Sequence, residues 1–254
     1  MKNIRAILTP AELPALRSVD LGQTLCVVFD VLRATSTFVT ALHHGAARVI
    51  PVSDIADALA WRRKDPQALL AGERDGVRIS AALTGGIDFD LGNSPREYTP
   101  ETVRGRTIVS TTTNGTRALN ACAAASTVMA GSFLNLGATA RFIHRHPASQ
   151  VILVCAGTGL QTALEDVLAA GALCQRLLSQ SGEVKLTDSA AVAWRTFLQA
   201  ESTLQEVLPA TDNGARLMGI PELAPDIAFC GQLDVYPLVA LQTAGGALTQ
   251  FRGV

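Results

Sequence analysis

A three-layer α/β/α domain with a mixed, mainly parallel central sheet is the fold the sequence predicts, and three observations predict it. Short apolar runs alternate with segments of helical spacing along most of the chain. The composition is aliphatic, with 48% hydrophobic residues against 17% charged and 5% aromatic, as expected where helices cover both faces of a sheet. At 254 residues the chain can bury one large core, and no shift in composition marks a second domain. The span 1–254 therefore reads as one domain, with 187–254 as a C-terminal elaboration of it.

In chain order, Leu25 to Phe29 reads as a buried strand and Ala34 to His44 as the helix after it. Arg48 to Val52 is a second strand, followed by helical spacing over Ile55 to Lys64, and Ala68 to Ala71 is a third short apolar run. Thr107 to Ser110 leads into a helix at Thr116 to Ala123, and Val128 to Ala130 into one near Leu136 to His144. Val151 to Cys155 is the most apolar strand, with a helix from about Leu164 to Leu178 behind it. The segment Arg74 to Arg104, rich in Gly, Asp and Pro, breaks this rhythm and reads as a long loop of the kind that is usually functional. From Asp188 on the chain is helical and then irregular, with Pro209, Pro221, Pro225 and Pro237.

A net charge of -1 with no block of like charge argues against a broad nucleic-acid or membrane surface. MKNIRAILTP lacks the apolar run of a signal peptide, so a cytoplasmic protein is expected. The five cysteines have no CxxC spacing, which disfavours a zinc site or a disulfide framework. The apolar helix over Val167 to Leu178 suggests a homodimer.

Ligands of parallel α/β sheets bind beyond the carboxyl ends of the strands, and four such ends carry polar residues here. Asp30 ends the first strand and Arg33 to Thr37 open the next helix. Asp30 offers a metal ligand or a nucleophile and Arg33 a bidentate grip on an oxyanion. A helix cap with an Arg33–Asp30 pair is the plainer reading. At the second end, Thr111, Thr112, Thr113, Asn114, Gly115 and Thr116 gather hydroxyls and backbone N–H groups where a helix begins, a setting for an anion. At the third, Cys155 precedes a glycine turn and Glu165-Asp166 opens a helix, where adjacent carboxylates point about 100° apart so that one faces the site. At the fourth, Glu73 offers a metal ligand and Arg74 an anion clamp, with solvated surface the plainer reading of Arg74, and Asn93-Ser94-Pro95 looks like a fixed turn. His43, His44, His144 and His146 all fall at helix ends, away from these positions. Carboxylates, arginines and hydroxyls remain, a set suited to Mg2+-assisted chemistry on a phosphate ester.

Taken together the segments resemble the 2-phosphosulfolactate phosphatase family. The matching stretches are DVLRAT from Asp30, AGER from Ala71, FDLGNSP from Phe89 and TTTNGT from Thr111. GSFLN from Gly131, CAG from Cys155, Glu165-Asp166, Ala170-Gly171, Asp226-Ile227, Cys230, Asp234 and Pro237 follow in the family's order. The resemblance implies a Mg2+-dependent phosphatase acting on 2-phospho-3-sulfolactate or a related 2-phospho-hydroxy acid, a step of coenzyme M biosynthesis in archaea that make that cofactor. On that expectation Mg2+ sits among carboxylates drawn from Asp30, Glu73 and Glu165 or Asp166, with the metal and the Thr111–Thr116 loop on the phosphate oxygens. Arg33 and Arg74 would then hold the substrate's carboxylate and sulfonate. Attack by Asp30 and attack by water are both open at this stage. The stretch Arg78 to Asp88 is longer and less regular than the family's approach to its DLGNSP turn. A non-catalytic sensor of a small phosphorylated acid is the alternative reading. A nicotinamide-dependent enzyme is disfavoured, since no GxGxxG follows the first strands.

Overall fold

Alternate residues of the strand Thr24–Phe29 face opposite sides of the sheet, as the period of a β-strand requires. Leu25, Val27 and Phe29 pack into one apolar cluster, and Cys26 and Val28 into another. The structure, a computed structural model, describes residues 2–180 and 184–251. Residues 1, 181–183 and 252–254 of the predicted single-domain span lie outside the described residues.

The strands are β1 (Lys2–Ile7), β2 (Thr24–Phe29), β3 (Arg48–Pro51), β4 (Leu69–Arg74), β5 (Val77–Arg78), β6 (Thr107–Thr111), β7 (Thr127–Gly131), β8 (Gln150–Cys155), β9 (Val184–Leu186), β10 (Val239–Gln242) and β11 (Leu248–Phe251). Among the described residues they form one sheet in the order β5-β4-β6-β3-β11-β10-β7-β2-β8-β1-β9. The helices are α1 (Ala34–His43), α2 (Ile55–Lys64), α3 (Ala81–Thr84), α4 (Pro100–Val103), α5 (Gly115–Ala121) and α6 (Leu136–Arg145). They continue with α7 (Leu164–Gln180), α8 (Asp188–Ala200), α9 (Leu204–Val207), α10 (Asp212–Met218) and α11 (Pro225–Cys230). The predicted three layers are present. Helices α6, α7 and α8 pack on the face of Leu25 and Val27, while α1, α5 and the 3-10 segment Pro10–Ser18 pack on the face of Cys26 and Val28.

Three successive antiparallel pairings, β3–β11, β11–β10 and β10–β7, separate two blocks whose neighbours run parallel, β4-β6-β3 and β7-β2-β8-β1-β9. The C-terminal hairpin β10–β11 thus stands in the middle of the sheet. Helix α1 fills the hollow this makes. All of Ala34 to Leu42 is buried, and α1 touches β3, β11, β10 and β7 as well as α5. A helix covered on every side is a core element rather than an outer layer. Twist accumulates from strand to strand, and with the sheet curled around α1 the ends of β2 and β4 come to one place.

The segment Arg74 to Arg104, expected as a loop, contains β5, α3, α4 and a 3-10 turn at Pro95–Glu97. Its first feature is a two-residue hairpin in which Asp75 (φ 54°) and Gly76 (φ 82°) both adopt positive φ. Asp-Gly is the sequence signature of that turn. Among the described residues no helix is long and apolar enough to cross a membrane.

Candidate active site

Asp30 follows directly from β2, where the chain turns into α1. Its backbone is fixed on both sides, since the Asp30 N–H donates to Thr35 Oγ1 at 3.0 Å and the Thr35 N–H to the Asp30 carbonyl at 2.9 Å. The carboxylate accepts the Ala34 N–H at 3.0 Å. Gly115, the first residue of α5, lies so close that a Cβ there would come within 2.8 Å of Asp30 Oδ2 and 2.7 Å of the Ala34 Cβ. Glycine is the residue that permits this approach. Burial pushes the Asp30 carboxyl up to about 6, and the negative charges of Glu73 and Glu165 add to the shift.

Glu73, next to last in β4, is buried with both oxygens engaged. Oε1 accepts the Thr113 N–H at 3.0 Å and the Thr113 hydroxyl at 2.9 Å, and Oε2 accepts the Gly76 N–H at 2.8 Å. The threonine-rich turn therefore does grip a carboxylate, but that carboxylate is Glu73. The expected helix-start anion site takes another form for this reason, and α5 behind it has only seven residues.

Asp30 and Glu73 line a cavity of about 240 Å3 together with Leu32, Arg33, Asp75, Gly76, Asn93, Thr113, Asn114, Thr158 and Arg216. Arg33 is buried, its Nη1 paired with Asp226 Oδ2 at 2.9 Å and its Nη2 donating to the Gly76 carbonyl at 2.5 Å. Asp226, fully buried on α11, also accepts from the Ser94 hydroxyl at 2.6 Å and from Arg96 Nε at 2.7 Å. One carboxylate thus fixes Arg33 and the Asn93-Ser94-Pro95 turn together. The Asn93 carbonyl accepts the Thr37 hydroxyl at 2.8 Å, while its side-chain Oδ1 is buried without a hydrogen-bond partner among the described residues.

The cavity holds Asp30, Arg33, Glu73, Asn93, Thr113 and Asn114 of the expected residues; the others lie outside its lining. Arg74 turns away, its Nη1 on the Glu73 carbonyl at 2.7 Å and its Nη2 on Thr111 Oγ1 at 3.1 Å, so it ties β4 to β6. Thr112 and Thr116 bond to each other, with the Thr116 hydroxyl on the Thr112 carbonyl at 2.9 Å, and border a groove against the Pro10–Ser18 segment. Cys155 is buried among apolar side chains, and desolvation with the nearby Asp166 charge pushes its thiol up, away from the reactive thiolate.

Of the Glu165-Asp166 pair, Glu165 borders an adjoining cavity with Thr158 and Asn213 and accepts Asn213 Nδ2 at 2.6 Å. Asp166 points inward. Its oxygens accept the backbone N–H groups of Val31 at 2.8 Å and Gly157 at 3.0 Å, locking the end of β2 to the turn after β8. Burial and the charges of Glu165 and Asp30 push its carboxyl up. The histidines stay outside the cavity, with His44 Nδ1 against the Tyr98 carbonyl and His146 Nε2 against the Thr127 hydroxyl. Sequence reasoning missed Thr158 and Arg216. It also missed the positioning role of Asp226, whose partners lie 130 to 193 positions away in the chain.

Among the described residues no three His, Cys, Asp or Glu side chains are grouped to enclose a metal ion. Mg2+ does not need such a cage, because it commonly takes one or two carboxylates and completes its shell with water and substrate oxygens. Asp30 and Glu73 supply that number, the burial and neighbouring negative charge that raise the Asp30 carboxyl are what a cation offsets, and Asn93 Oδ1 is an unused buried acceptor. The donor set fits the ion.

Comparison with known proteins follows the same line. Residues 7–245 match the family described as 2-phosphosulpholactate phosphatase. A protein of Caldanaerobacter subterraneus named probable 2-phosphosulfolactate phosphatase is 39% identical over 87% of this chain and 88% of its own length. One of the same name from Thermotoga petrophila is 40% identical over 84% of this chain and 86% of its own. Another, from Synechococcus, is 38% identical over 94% and 96%.

Proposed function

The chain belongs to the 2-phosphosulfolactate phosphatase family, and from that premise we propose a Mg2+-dependent phosphoric monoester hydrolase. Its substrate is 2-phospho-3-sulfolactate or a closely related 2-phospho-hydroxy acid, cleaved to the hydroxy acid and inorganic phosphate. The observation that carries this reading is one cavity lined by three carboxylates, Asp30, Glu73 and Asp75, and by two guanidinium groups, Arg33 and Arg216. Such a lining suits a small polyanion whose phosphate is activated by a carboxylate-held cation and whose acid groups are anchored by arginine.

Asp30 and Glu73 would hold the Mg2+, with Asn93 Oδ1 available beside them. The ion, when bound, neutralises charge on the phosphoryl oxygens. Arg33 is prevented from swinging away by Asp226 and the Gly76 carbonyl, and it directs positive charge toward the phosphoryl group as the ester P–O bond lengthens. The Asp30 carboxylate, held by Ala34, orients the attacking water and accepts its proton. Glu73 keeps the Asp75-Gly76 turn and the Thr113 loop in register around the substrate.

The test is phosphate release from 2-phosphosulfolactate, 2-phospholactate and 2-phosphoglycolate, with Mg2+ and after chelation. Release that needs Mg2+ and favours the sulfonated substrate is expected. Chelator-insensitive release, or none from any of the three, contradicts the reading.

A further inference from the structure

Arg216, on α10, reaches the cavity from the C-terminal part of the chain, and nothing in the strand-end pattern points to it. Arg33 is neutralised by Asp226, whereas Arg216 enters no ion pair among the described residues. Its Nη2 donates to a neutral partner, Asn213 Oδ1, at 3.2 Å. Asn213 is itself fixed, its Nδ2 donating to Glu165 Oε1 at 2.6 Å and Thr158 Oγ1 at 2.8 Å. The guanidinium is thus aimed by the Asn213 network and makes no close ion pair among the described residues, although Asp30, Glu73 and Asp75 line the same cavity. Both arginines flank Gly76. A Cβ at that residue would sit 3.1 Å from Arg216 Nη1 and 3.9 Å from Arg33 Nη2.

We infer that Arg216 is the specificity-determining residue of the site, binding the substrate's acid group farthest from the phosphate, the sulfonate. The identity of that group rests on the phosphatase reading above. A sulfonate is ionised at all working pH values and offers three oxygens, which a planar guanidinium fork meets with two parallel N–H donors. Arg33 cannot serve both ends of the substrate, because two of its nitrogens are taken by Asp226 and Gly76. Arg216 is exposed enough on α10 for its replacement to leave folding intact.

The experiment compares wild type with Arg216→Gln and Arg216→Lys, using the full chain. The readout is the ratio of kcat/KM for 2-phosphosulfolactate to that for 2-phospholactate, which lacks only the sulfonate. In Arg216→Gln this ratio is expected to fall roughly 10- to 100-fold, mainly through KM, as for loss of a charge-assisted hydrogen bond. Arg216→Lys should recover part of it. An unchanged ratio overturns the inference and leaves the phosphatase reading standing. Calorimetric binding of 3-sulfolactate against lactate separates the opposite case. If wild type hydrolyses neither ester yet binds 3-sulfolactate more tightly than lactate, and Arg216→Gln erases the difference, the inference holds and the phosphatase reading fails. No such preference in wild type overturns the inference.

Discussion

Burial at the end of β2, with the charges of Glu73 and Glu165 within electrostatic reach, makes Asp30 sensitive to pH. Desolvation first, then Glu73 and Glu165, push its carboxyl up to about 6. A carboxyl whose folded value lies above its unfolded one favours the fold when protonated. Its contribution is therefore fully present below about pH 4 and is lost as the pH rises through about 6. Asp30→Asn removes the charge and should make the metal-free protein more stable than wild type at pH 7–8, by roughly 1–3 kcal/mol. That advantage should shrink toward pH 4, as read from melting curves of the two proteins across that range. A difference that does not vary with pH would mean that Asp30 is not held at a cost. Asp30, Glu73 and Asn93 were legible in the sequence because each lies just past an apolar run or in a turn with its own signature. Arg74 was misplaced by the same logic, for strand ends give proximity to the site but not the direction of a side chain. Arg216 has no local signal, since its place depends on Asn213 and on a helix packed from 140 residues beyond Gly76.

The short helix α11 serves the site through a single residue. Asp226 takes three donors, from Arg33, Ser94 and Arg96, and joins the C-terminal part of the chain to the start of α1 and to the Asn93-Ser94-Pro95 turn. Asp226→Asn leaves the Arg33 charge buried without its counter-charge, a change that typically costs about 3–5 kcal/mol. Urea unfolding should register a loss of that size, together with a fall in kcat/KM as Arg33 loses its support. A loss below about 1 kcal/mol would show that Arg33 is neutralised in some other way. At this scale the parallel strands were readable, as unbroken apolar runs such as Val27 to Phe29 and Val151 to Cys155. β1, with the mixed sequence KNIRAI, and the hairpin strands VALQ and LTQF were not, because each is short and owes its place to partners far along the chain. The Asp75-Gly76 hairpin had its signal in plain view inside a stretch read as loop.

The molecule as a whole is organised by the curl of its sheet around α1. Two parallel blocks of opposite sense, joined by the β11–β10 hairpin, bring the ends of β2 and β4 to one cavity although five strands stand between them in the sheet. The three-layer class was legible from the alternation of strands and helices. The curl was not, because it depends on a C-terminal hairpin entering the sheet between β3 and β7. On the proposed mechanism this junction of strand ends hydrolyses a phosphate ester through Asp30. The most direct measurement is the rate of inorganic phosphate release from 2-phosphosulfolactate at saturating Mg2+, by wild type and by Asp30→Asn, at a temperature where both are fully folded. Turnover by wild type and a fall of roughly 1000-fold or more in the variant are expected. A variant that retains a rate within about tenfold of wild type would contradict that mechanism.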